Sequence, residues 1–142
     1  VHDDLQAFFI ARQRRSFRTS GRSERSKWAG FSREPKYRTF KQRLTGDLRP
    51  LLWSGGGRLY DSLTQANSSD QTFRVTGDTI RFGSRVPYAH RLYTGGVGPF
   101  GERYPARNFL KLSDRSMNVL SNLILRTLAG DRPPAAAWRN PR

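Results

Sequence analysis

Apolar and polar residues alternate in two short runs, Thr72-Phe73-Arg74-Val75-Thr76 and Thr79-Ile80-Arg81-Phe82, separated only by Gly77-Asp78. A period of two, interrupted by a two-residue connection with Gly in first place, predicts a β-hairpin. Pairing Thr76 with Thr79 sets Val75 opposite Ile80, Arg74 opposite Arg81 and Phe73 opposite Phe82. In that register Phe73, Val75, Ile80 and Phe82 share one face, which is expected to meet a core. The other face sets two arginines directly across from each other, and opposed like charges cost about 0.2 to 1 kcal/mol. Either both guanidinium groups splay into water on long stems or a partner takes them.

Downstream the period changes. Ser113-Asp114 reads as an N-cap with an acid in the first turn, and Met117, Leu120, Leu123, Ile124 and Leu128 recur at steps of three and four before Gly130. That pattern predicts a helix laying its apolar stripe over the hairpin. Asp3 and Asp4 ahead of Leu5, Phe8, Phe9 and Arg12 predict an amphipathic helix over residues 1–18. Shorter helices are expected from Arg58 to Ala66 and from Pro87 to Tyr93. The expected fold is therefore α+β, a small antiparallel sheet packed by N- and C-terminal helices. A single domain is expected, with a helix at 1–18, a basic arm or loop at 19–49, an α+β core at 50–128 and an extended tail at 129–142.

Residues 19–49 are thick with Arg and Lys and thin in aliphatics, and read as too polar to order themselves. Yet Trp28, Phe31, Tyr37 and Phe40 lie between the charges. The segment is read either as an arm that orders on a neighbouring subunit or as a loop folded on its own domain, with stacking on nucleic acid a third use. Phe100, at the tip of a Gly/Pro loop, and Trp138, in the tail, are further candidates for a partner.

Charge sharpens this. Among 142 residues, 26 are Lys or Arg and 11 are Asp or Glu, a net +15. Such a surface repels its own copies and draws polyanions, so nucleic acid or an acidic protein is the expected company. Arg12, Arg14, Arg15, Arg18, Arg22, Lys27, Trp28, Arg74 and Arg81 are the candidate partner- or DNA-facing residues. With no cysteine there is no thiolate site or disulfide. His90 has neither a second His nor a carboxylate cluster beside it, so no catalytic, metal or cofactor site is expected. Gly55-Gly56-Gly57 lacks the Gly-Lys-Ser/Thr ending of a phosphate loop and reads as a turn. No apolar run is long enough to cross a bilayer, no signal peptide is evident, and the absent initiator Met points to processing or a trimmed start.

Three stretches carry distinctive wording. Pro50-Leu51-Leu52-Trp53-Ser54-Gly55 leads to Gly57-Arg58-Leu59-Tyr60-Asp61-Ser62-Leu63; Gly83-Ser84-Arg85-Val86-Pro87-Tyr88-Ala89 runs on to Gly95-Gly96; and Tyr104-Pro105-Ala106-Arg107-Asn108-Phe109-Leu110 runs to Ser113-Asp114. In this order they resemble the virion-morphogenesis family of tailed phages, the tail-completion and neck proteins, Mu-like ones included, over residues 28–128. The resemblance implies a non-enzymatic structural protein of the virion neck or tail end, made in the bacterial host cytoplasm and working as a homo-oligomeric ring of about six or twelve subunits. Its implied partners are the head-tail connector and the tail terminator or tube proteins, with non-specific contact to genomic DNA and none to membrane. Tyr88, Pro105, Arg107, Phe109 and Leu110 are the expected core and box residues beside the hairpin's apolar four. The alternative from charge alone is a stand-alone basic nucleic-acid-binding protein.

Overall fold

The computed structural model describes residues 2–30, 35–46, 51, 57–97, 101 and 103–131. The element with the widest reach is the first helix, α1 (His2–Arg18), whose N-terminal and C-terminal halves serve different cores. Asp3 and Asp4 open it and Arg15 and Arg18 close it, complementing the helix dipole at both ends. Leu5 and Phe8 pack with Leu120 and Leu123, while Phe17, three turns on, packs with Trp28, Leu59, Leu63, Val86, Ala89 and Phe109.

Helix α1 stops where Gly21 turns the chain back. Gly21 holds φ 82, and its N–H donates to Ser16 O at 2.8 Å. A Cβ there would stand 1.7 Å from Ser26 O, so only glycine lets the returning chain pass this closely. A 3-10 turn (Arg22–Glu24) follows, and residues up to Gly30 run back along the body. The sequence reading of 19–49 as too polar to order itself is thus corrected for its first third, because a few large or well-bonded side chains replace the missing aliphatics. Trp28 is 3% exposed, with its ring edge-on to Phe17 at 5.1 Å, and Glu24 is 1% exposed. A second helix, α2 (Pro35–Thr45), occupies residues read as arm, with Phe40 and Leu44 exposed and Lys41 buried.

Helix α3 (Arg58–Thr64) sends Leu59 and Leu63 inward and is joined by a polar turn to strand β1 (Gln71–Thr76). Arg58, at the start of α3, donates to Asp70, at the end of that turn, at 2.6 Å and 3.0 Å. Strand β2 (Thr79–Ser84) pairs antiparallel with β1 in the register expected from sequence, Phe73 with Phe82, Arg74 with Arg81 and Val75 with Ile80. Gly77 supplies the positive φ, 57°, at the turn. A short helix, α4 (Ala89–Thr94), then leads to a two-residue ladder of β3 (Gly96–Val97) with β4 (Arg103–Tyr104). The chain ends its described course in α5 (Asp114–Leu128), whose N-cap Ser113 accepts from Ser116 N–H. The fold is α+β, with two small antiparallel ladders and terminal helices.

Packing departs from expectation in several places. The hairpin's apolar face meets α1 first: Phe9 stacks on Phe82 at 4.9 Å and leans on Phe73 at 6.4 Å. Helix α5 completes that core through Leu120 and Leu123, but Met117 and Leu128, read as part of its buried stripe, are exposed. Val75, expected in the core, is also exposed, because the hairpin outruns the helices beneath it and only its base is covered. Tyr88, at the N-cap position of α4, is exposed while its neighbour Ala89 is buried. Pro105 is exposed as well, one turn short of the buried part of its box.

Candidate functional site

The described parts of the three distinctive stretches lie together. Ser62 from α3 and Ser84 at the end of β2 share a hydrogen bond of 2.7 Å between hydroxyls, and Val86 N–H donates to the same Ser84 Oγ at 3.1 Å. Arg107 N–H donates to Leu92 O at 3.1 Å, and Phe109 meets Tyr93 edge-on at 5.5 Å. Leu59, Leu63, Val86, Ala89 and Phe109, all within those stretches, are buried in one cluster, with Phe82 and Leu110 packed against it.

The box also grips the basic segment along an antiparallel seam. Arg107 Nε donates to Ala29 O and its Nη2 to Gly30 O, both at 2.9 Å. Trp28 Nε1 and Ser26 Oγ donate to Asn108 O at 3.4 Å and 3.3 Å, and Lys111 Nζ to Arg25 O at 3.3 Å. At the far end Ser113 N–H donates to Glu24 Oε2 at 2.8 Å, placing a carboxylate at the N-terminus of α5 where the helix dipole favours it. Burial holds the Arg107 guanidinium below its ordinary pKa, yet arginine remains charged, so its two carbonyl partners do the work of a counter-ion. Sequence reasoning placed Arg107 in the box but missed Glu24, Ser26 and Asn108 as its fellows. One signal was available: Glu24 is the sole acid between Asp4 and Glu34 in a run crowded with arginine.

Two candidate partner-facing residues are corrected by their burial. Arg12 is 8% exposed, with its guanidinium carbon 5.2 Å from the centre of the Phe8 ring. Desolvation is the main influence on it and lowers its pKa, while the charge of Glu24 pulls the other way. Trp28 belongs to the core, because its indole is the wedge that seats the basic segment. Arg14 is exposed but engaged, donating from Nη2 to Thr64 O at 2.9 Å. Arg15, Arg18, Arg22 and Lys27 are exposed around the end of α1 and the turn beyond it. Arg74 and Arg81 are exposed on the hairpin. Phe100 and Trp138 lie outside the described residues.

His90 is exposed on α4, and among the described residues no three His, Cys, Asp or Glu side chains group as metal ligands. No helix among those residues is long and apolar enough to cross a membrane. No protein-family model, curated protein or solved structure matches this chain.

Proposed function

We propose that the chain is a structural virion protein of the phage neck or tail end, completing the tail and joining it to the head connector as a subunit of a ring. The observation that carries this reading is the convergence of the three family-like stretches on one core, through Ser62 with Ser84 and Phe109 with Tyr93. Ring closure needs two different faces on each subunit. The exposed apolar residues of α2, Phe40 and Leu44, and of α5, Met117, Leu125 and Leu128, supply two such faces on separate elements. Head-tail connector and tail terminator or tube proteins are the partners in this reading, and the virion neck is its location. Gold-labelled antibody against this protein, applied to intact virions, is expected to mark the head-tail junction; label confined to capsids, or absent from virions, would contradict the reading.

A further inference from the structure

The outward face of the hairpin belongs to neither core cluster. From Arg74 to Thr79 every residue is exposed, so the far half of the ribbon stands clear of the core. Its outward positions are Thr72, Arg74 and Thr76 on one strand and Thr79, Arg81 and Gly83 on the other, paired Thr72 with Gly83, Arg74 with Arg81 and Thr76 with Thr79. That face holds hydroxyls and guanidinium groups and no carboxylate. Arg74 and Arg81 make no hydrogen bond or ion pair with any described residue. The basic groups around the end of α1 differ, since Arg15 and Arg18 complement a helix C-terminus and Arg14 is bonded to Thr64 O.

We propose that this face is a docking ribbon for duplex DNA, with Arg74 and Arg81 closing together on one backbone phosphate. Directly opposed residues of an antiparallel pair carry their Cβ atoms about 4.5 to 5.5 Å apart, so two guanidinium groups reach a single phosphate from either side. The phosphate removes the repulsion that the pairing otherwise imposes. Planar guanidinium forks suit phosphate oxygens, and the Thr76 hydroxyl can donate to an oxygen that follows along the strand. A two-stranded ribbon also has the width that a major groove admits. Asp78 at the turn is the one opposing charge; Thr79 Oγ1 donates to its Oδ1 at 3.2 Å, and the turn lies two residue pairs beyond the arginines. The inference goes beyond the neck reading and does not depend on it.

The test is a titration of a labelled duplex of arbitrary sequence with the full chain, followed by anisotropy over a salt series. The double change Arg74→Ala with Arg81→Ala is expected to weaken binding about tenfold and to make the log–log salt slope shallower by about one, the share of a single phosphate. The Arg74→Lys, Arg81→Lys pair should keep the slope while losing part of the affinity, because charge survives and the fork does not. Asp78→Asn should tighten binding. Arg91→Ala with Arg126→Ala, which removes the same charge from α4 and α5, is the control. If that pair weakens binding and slope as much as the hairpin pair, only net charge is at work and the proposal falls. It falls too if the chain binds no duplex, or if the hairpin changes abolish binding to an acidic polypeptide and leave DNA binding intact.

Discussion

At the scale of single residues, the box divides its labour between packing and polar grip. Phe109 is 1% exposed and lies against Tyr93, so Phe109→Ala is expected to cost about 3 to 5 kcal/mol in a thermal or denaturant melt. Arg107→Met should cost less, about 1 to 3 kcal/mol, since Ala29 and Gly30 are exposed and their carbonyls can turn to water. Equal melts for wild type and Phe109→Ala would remove the box from the core. Asp70 contributes to the pH dependence: the hydrogen bond from Arg58 lowers its pKa below the ordinary 3.8. A carboxylate depressed in the folded state adds stability above its unfolded pKa and loses it as pH falls through the folded value. Stability should therefore decline below about pH 4 in the wild type. Asp70→Asn should show a slightly lower melting temperature at neutral pH and a flatter acid limb, which melts between pH 2 and 7 would reveal.

At the scale of elements, what was legible was local. The hairpin register, the Ser113 cap and the acidic start of α1 each rest on residues a few positions apart, where period and turn chemistry decide the structure. The seam between 24–30 and 107–113 was not legible, because most of its bonds run from side chains to backbone carbonyls some eighty residues away and follow no period. Trp28 illustrates the error. An aromatic among cations looks made for a partner, and only the cleft left by Phe17 and the box shows that it is core. Val75 and Met117 err the other way, since apolar periodicity names a face without saying how far the covering element extends. The basic segment's docking depends on Gly21. Gly21→Ala must clear the clash with Ser26 O and hold a positive φ, an expected loss of at least about 2 kcal/mol. Limited trypsin digestion reads it out: cleavage after Arg22, Arg25 and Lys27 should be slow in the wild type and fast in the variant, and unchanged rates would mean the segment is not seated through this turn.

At the scale of the whole molecule, one long helix serves two modest cores while the surface carries most of the charge. A net +15 sets copies of the chain against one another, and opposing charge on a partner or DNA relieves this. The isolated protein is accordingly expected to be monomeric or weakly associated at moderate salt by light scattering, with ring formation waiting on a partner template; a stable closed ring of pure protein would contradict that. Sequence composition made the charge plain, but the placement of Arg12 inside and of Arg74 and Arg81 outside required the fold.

The proposed role in the neck is tested most directly by a phage with a stop codon early in this frame, scored by electron microscopy and plaque count. The account predicts DNA-filled heads and complete tails that accumulate unjoined, with infectivity restored when the protein is supplied from a plasmid. Joined, infectious particles in normal number would contradict it.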